Sequence, residues 1–215
     1  MNETRNKCII ECIGTFFLTI TVALTGNPIA IGGIYMAMIY MGYTVSGGHY
    51  NPATTIAVWI QNKLSRKEAA YYILSQLVGA AMASLAFHCI YGRTRVFFLA
   101  PDARINILKP LFTEGLFTFA LIMVILYTSV SKKSVFRPFY GLATGLTIVA
   151  FGYGAVYLSG AAFNPALGFV PVLVETFLGI CQCHPMQYAW IYILGPFTGS
   201  VAAAVLFRYV LKEEV

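Results

Sequence analysis

The sequence predicts an all-α integral membrane protein: six transmembrane helices plus two re-entrant half-helices, arranged as an inverted repeat. Three observations carry this prediction. The chain of 215 residues is 59% hydrophobic and 10% charged, whereas soluble domains are about 45–50% apolar and about 25% charged. Its apolar residues fall into six runs long enough to cross a bilayer and two that are too short. The tripeptide Asn-Pro-Ala occurs twice, at Asn51 and at Asn164, each time five residues after a Ser-Gly pair begins.

The runs are read in order. Cys8 to Thr25 forms the first span, and Gly26-Asn27-Pro28 breaks it from the second, Ile29 to Val45. Asn51 to Gln61 is apolar but too short to cross, so it reads as a half-helix entering and leaving on one side. Ala69 to Tyr91, Leu111 to Val130 and Phe139 to Leu158 are the third, fourth and fifth spans. A second short segment begins at Asn164 and is taken to 174, and Tyr188 to Leu211 is the sixth span. The basic start, Arg5 and Lys7, suggests a secretory leader, but the apolar run that follows contains Glu11 and is as long as a full span.

Span, span, half-helix, span thus occurs twice, and three anchors repeat in the same order. Glu11 matches Glu114, the Ser46-Gly47 stretch leading to Asn51 matches the Ser159-Gly160 stretch leading to Asn164, and "YILSQLVGAAMA" from Tyr72 matches "YILGPFTGSVAA" from Tyr192. We therefore divide the chain into a first repeat, 1–109 with half-helix 51–61, and a second, 110–215 with half-helix 164–174. Three spans per half is an odd number, so the second repeat is expected to enter the bilayer upside down. Loop charges agree. With a cytoplasmic N-terminus, Arg5, Lys7, Lys63, Arg66, Lys67, Lys132, Lys133, Arg137, Arg208 and Lys212 lie inside, against Arg93, Arg95, Arg104 and Lys109 outside. That bias places both termini in the cytoplasm, and it accounts for the net charge of +6 without a nucleic-acid partner.

Each Asn-Pro-Ala marks a helix start, because Asn caps orphan N–H groups and Pro is pre-shaped for the first turn. The Ser-Gly-x-x-x before it is expected to be extended, and extended backbone cannot face lipid. It must line a wet passage or be buried in protein. Inversion would bring the two helix starts together near the midplane. Asn51 and Asn164 would then offer amide donors at one point, backed by two positive helix ends. Water or a hydroxyl can accept a bond there, whereas a cation is repelled and a proton-conducting water wire is interrupted.

Both Asn-Pro-Ala motifs, the "ECIGTFFL" start of the first span, "SGGHYNPA" and "GPFTGS" at Gly195 resemble the aquaporin (major intrinsic protein) family over nearly the whole chain. The resemblance implies the aquaporin-like six-span fold, usually a homotetramer with one pore per subunit, embedded in lipid, with water and small neutral solutes as its partners and no cofactor. It implies that Glu11 and Glu114 tie down the loops entering the half-helices. It also implies a filter formed by one residue on the second span, one on the fifth, one before the second motif and one three places after its Asn. By the family's spacing these are Ile31, Gly152 (or Gly154), Ala161 and Leu167. The last is an arginine in most members. A filter with neither that arginine nor an aromatic or His is expected to be wide and apolar, admitting glycerol or urea along with water; an apolar ring that resists wetting and slows water is the opposing expectation. "GPF" on the sixth span resembles the water-type branch, and Gly168 stands where glycerol-conducting relatives often have Asp.

The backbone of Gly48, His49, Tyr50, Ala162 and Phe163 is expected to line the passage. His88 reads as structural, and Glu175 as a residue at the outer mouth that draws cations or faces solvent. Tyr91, Phe97, Phe98, Tyr188 and Trp190 suit an interfacial aromatic belt. Five cysteines without a CxxC argue against a disulfide framework. Cys181, Cys183 and His184 form a metal-like cluster in a loop, one ligand short of a structural site, and no metal is assigned. An enzyme is excluded, since no span carries a paired acid and base or a Ser/His/Asp set. An ion-coupled secondary transporter and a non-conducting structural or adhesion protein are the alternatives. Coupling would need a carboxylate within the membrane, and Glu11 and Glu114 are the two read there.

Overall fold

The computed structural model describes residues 2–102, 104–180 and 186–210. Among these residues, six helices are long and apolar enough to cross a membrane. They lie within α1 (Asn2–Thr25), α2 (Pro28–Ser46), α4 (Arg66–Tyr91), α5 (Leu108–Ile125, prolonged by a wider π turn over Leu126–Val130), α6 (Tyr140–Ser159) and α9 (Ile191–Val210, entered through the single turn α8, Met186–Ala189). Two shorter helices, α3 (Pro52–Ile60) and α7 (Pro165–Leu178), complete the bundle. At 1.5 Å per residue α3 is about 14 Å long, less than half a bilayer's hydrocarbon thickness.

Local chemistry sets the boundaries. Asn27, Asn51 and Asn164 each cap a helix whose first residue is proline, the Asn side chain accepting from the backbone N–H two residues on. Ser65 and Glu68 form a reciprocal capping box at the start of α4. The expected half-helix 51–61 runs Pro52–Ile60, but the second, expected over 164–174, continues to Leu178. It stops only where Gly179 takes a left-handed conformation, φ 62°. The proposed division at 109/110 falls inside the first turn of α5, because Asn106 Oδ1 accepts from the Leu108 N–H (2.9 Å) and starts that helix early.

Long helices pack closely where glycine removes the side chain. A Cβ on Gly79 would collide with the Cys12 carbonyl of α1, and one on Gly199 with the Gly115 carbonyl of α5. Gly32 of α2 and Gly145 of α6 each face the other's carbonyl. The outside of the bundle is apolar: Phe112, Leu146, Tyr157 and Phe177 are exposed, as residues facing lipid are.

Between the long and short helices the chain leaves helical geometry twice, in nearly the same way. Gly47 (φ 88°) and Gly160 (φ 84°) end α2 and α6 in left-handed conformations. Gly48 (φ 66°) and Ala161 (φ 57°), then Tyr50 (φ 51°) and Phe163 (φ 48°), follow, also at positive φ. These segments are therefore runs of left-handed turns and not the extended backbone expected from the sequence. The donors these turns expose are collected by one buried carboxylate each. Glu11 of α1 accepts at Oε1 from Ser46 Oγ (2.7 Å) and the His49 N–H (2.9 Å), and at Oε2 from the Tyr50 N–H (2.7 Å) and Gln76 Nε2 (2.8 Å). Glu114 of α5 accepts at Oε1 from Ser159 Oγ (2.6 Å) and the Ala162 N–H (3.0 Å), and at Oε2 from the Phe163 N–H (2.7 Å). Tyr72 and Tyr192 hydroxyls donate to the Ser46 and Ser159 carbonyls.

Two outcomes test this architecture. Glu11→Ala strips partners from two buried backbone N–H groups and should destabilise the protein by about 3 kcal/mol or more, with Glu11→Gln clearly milder because its carbonyl still accepts. Gly79→Leu should cost about 2 kcal/mol or more by forcing α1 and α4 apart. Thermal unfolding of the detergent-solubilised protein reads both.

Candidate functional site

The starts of α3 and α7 meet. Asn51 Oδ1 accepts from the Ala53 N–H (2.8 Å) and Asn164 Oδ1 from the Ala166 N–H (3.0 Å), which fixes the orientation of both amides. Each Nδ2 then reaches the opposite segment: Asn51 donates to the Phe163 carbonyl and Asn164 to the Tyr50 carbonyl, both at 2.9 Å. An amide nitrogen carries two hydrogens, so each Asn keeps one for a further acceptor. Both residues line a narrow cavity of about 20 Å³, room for about one water.

The walls of this cavity are apolar. Leu18, Val22, Ile31, Tyr35, Leu99, Ile148, Ala161, Ala162, Phe163 and Leu167 surround the two amides. Of the four positions picked from the sequence, Ile31, Ala161 and Leu167 stand here together. Gly152 sits one level further out, lining a vestibule of about 440 Å³ with Pro28, Ile31 and Phe98. Its alternative, Gly154, is exposed beside Phe117. Sequence reasoning missed Tyr35 and Ile148. Tyr35 lies one helical turn after Ile31, and Ile148 one turn before Gly152, so helical periodicity extended from the chosen positions would have found them. Leu99 had no such signal, because it lies in an irregular segment.

At the other end, Tyr43, Ser46, Gly47, His49, Val58, Lys63, Ser129, Lys132 and Arg137 line a second vestibule of about 350 Å³. His49 is buried on its floor, with Nδ1 3.1 Å from Thr55 Oγ1. The carbonyls of the first non-helical segment are occupied: the Gly48 oxygen accepts from Tyr140 Oη (3.2 Å) and the His49 oxygen from Tyr35 Oη (2.8 Å). Tyr35 therefore touches both the central cavity and the floor of this vestibule.

Two sequence expectations need correction. Glu175 does not sit in the open at a mouth. It is fully buried, and its Oε1 accepts from the Phe97 N–H (2.7 Å) and lies 2.9 Å from His88 Nε2. The sequence reading ended α7 before this residue and so left it in a loop; the extra turn carries it inward beneath α4. A third carboxylate thus lies within the bundle besides Glu11 and Glu114. Phe97, expected in the interfacial belt, is buried against Phe87, with ring centroids 5.6 Å apart. The cluster Cys181, Cys183 and His184 lies outside the described residues. Among the described residues no group of three His, Cys, Asp or Glu side chains could hold a metal ion.

The profile of the family described as "Major intrinsic protein" matches residues 2–207. A probable aquaporin AqpM of Archaeoglobus fulgidus is 36% identical over 197 residues, covering 87% of this chain and 78% of the relative. A glycerol uptake facilitator protein-like 6 of Lactiplantibacillus plantarum is 33% identical, covering 97% of this chain and 99% of the relative. The solved structure of the aquaglyceroporin from Plasmodium falciparum has the same fold, with a TM-score of 0.79 at 22% identity over 97% of each chain. The paired Asn-Pro-Ala helix starts, the two glutamates beneath them and these likenesses lead to one conclusion: the chain is a multi-pass membrane protein of the major intrinsic protein family.

Proposed function

We propose that the chain is a passive channel through which water and small uncharged solutes, glycerol and urea among them, cross the bilayer down their gradients. The observation that carries this reading is the pair of amides, Asn51 and Asn164, set at the helix starts of α3 and α7 and facing one narrow cavity. Their spare hydrogens and the two positive helix ends orient a passing hydroxyl by its oxygen and oppose a cation. The names of the relatives, aquaporins and a glycerol uptake facilitator, agree with this reading. It involves no reaction and no enzyme chemistry. Coupled transport would need an intramembrane group that meets the solute and is free to change its occupancy. Both oxygens of Glu11 and of Glu114 are already bonded. The third buried carboxylate, Glu175, is held by the Phe97 N–H and His88 away from the lining of the central cavity.

Residues 1–109 and 110–215 are read as two repeats inserted in opposite senses. The matched bonds to Glu11 and Glu114, and the near-identical dihedrals of Tyr50 and Phe163, support this. The basic vestibule with Lys63, Lys132 and Arg137 is taken as the cytoplasmic mouth, which puts both termini in the cytoplasm. The exposed apolar faces fit lipid and, as in the family, three further copies in a tetramer.

Leu167 takes the place of the filter arginine that most members carry, and its side chain belongs to the apolar wall of the cavity. With Ile31, Ala161 and Ile148 it forms a ring without a fixed charge or donor. Such a ring grips water weakly, and the cavity it surrounds, with room for about one water, has to widen by side-chain movement for the carbon skeleton of glycerol to pass.

Stopped-flow light scattering on proteoliposomes tests the proposal. Water and glycerol permeabilities above those of empty vesicles are expected, and Leu167→Arg should cut glycerol permeation by about tenfold while sparing water. Equal glycerol flux through parent and variant would refute this account of the filter.

A further inference from the structure

The segment between α4 and α5 contributes a residue to the central cavity that none of the four filter positions accounts for. Leu99 lines both that cavity and the vestibule above it. It also lies over the turn that ends α6: a Cβ on Gly160 would come within 3.2 Å of Leu99 Cβ. Leu99 therefore stands across the cavity mouth, on the side of the chain that enters the second Asn-Pro-Ala.

An irregular segment needs anchors to hold one side chain over an opening. They lie two residues earlier. The Phe97 N–H donates to buried Glu175 Oε1 (2.7 Å), and its ring packs on Phe87. Tying down the backbone at Phe97 fixes the course of the chain two residues on, where Leu99 meets the cavity. Glu175 is held in turn by His88 Nε2 at 2.9 Å, while His88 Nδ1 faces the Gly92 carbonyl at 3.3 Å. Oxygens on both sides of the ring fix its orientation. A second tie runs from Arg93 Nη2 to the Leu178 carbonyl at the end of α7 (2.7 Å). Among the described residues Glu175 Oε2 receives no hydrogen bond, so the clamp on Phe97 works through Oε1.

We propose that Leu99 is a specificity-determining residue of this channel, and that Glu175, with His88, is the positioning group that holds it across the mouth. The proposal rests on the channel reading given above. Leu99 sets the width of the opening by occupying part of the cavity wall that it shares with Leu167. Glu175 touches no solute; it acts through the backbone of Phe97. Neither residue would be chosen from the Asn-Pro-Ala spacing. One is an aliphatic residue in a loop, and the other is a carboxylate that the pore never sees.

The experiment is the ratio of glycerol to water permeability in proteoliposomes, measured for the full chain and its variants. Leu99→Ala should raise the ratio at least about threefold and Leu99→Phe should lower it, since removing or adding carbon in an apolar opening changes discrimination by such factors. Glu175→Ala should shift the ratio as Leu99→Ala does. Glu175→Gln should keep the parental value, because the amide carbonyl still accepts from the Phe97 N–H. The double variant L99A/E175A should show no further change, the signature of two residues acting through one contact. A merely structural role for Glu175 would instead lower both permeabilities together and leave the ratio fixed. An unchanged ratio in both Leu99 variants, with flux through the parent, would overturn the proposal even if Glu175→Ala fails to insert. No flux through the parent protein would overturn the channel reading beneath it.

Discussion

Backbone that leaves a helix inside a bilayer has no water to turn to, and in this chain two carboxylates supply what water would. Glu11 and Glu114 each collect the serine hydroxyl and two successive N–H groups of a non-helical segment. Burying a carboxylate is expensive unless it is well bonded, and leaving several amide donors unpaired in an apolar medium is expensive too. Brought together, the two liabilities offset each other. The carboxylates allow the segments to stay out of helical geometry, and these segments allow α3 and α7 to start deep in the protein with their amide caps facing each other.

The two segments share a backbone but differ in their surroundings, and the differences bear on the proposed pore. Gln76 gives Glu11 a fourth donor and also reaches Thr55 Oγ1 (2.9 Å). The matching place on the last span is Pro196, which has no donor to give. Tyr50 fits only because Gly14 and Gly42 leave space for its ring, whereas Phe163 packs edge-on against Phe117, which stacks on Phe151. His49 is replaced by Ala162. The first segment therefore carries a histidine and is tied by the hydroxyls of Tyr35, Tyr72 and Tyr140, while the second has Ala161, Ala162 and Phe163 in the cavity wall and is tied by that of Tyr192. A pseudo-symmetric scaffold thus supports an asymmetric passage, with a basic vestibule at one end and an apolar constriction toward the other.

Much of the fold was legible because membrane burial writes itself in long apolar runs, and because Asn-Pro-Ala is a helix start on simple grounds of capping and fixed φ. The pairing of Glu11 with Ser46 and of Glu114 with Ser159 could be anticipated from two intramembrane carboxylates in matching places. Helix ends were harder. The second short apolar segment reads from the sequence only to 174, yet a buried partner, His88, pays for carrying Glu175 inward. Tyr35 and Ile148 were hidden only by the habit of naming one residue per helix. Leu99 and Phe97 were illegible in a stronger sense, because nothing in an irregular segment's composition says which side chains turn inward.

The central claim is that opposed helix starts at Asn51 and Asn164 pass neutral molecules singly while breaking a proton path. It is tested most directly by recording water efflux and internal pH together in the same proteoliposomes, under an osmotic and then a proton gradient. The account predicts water permeability well above that of empty vesicles, with a proton leak no greater than theirs. Proton entry that rises in step with water flux, or water flux no faster than through lipid alone, would contradict it.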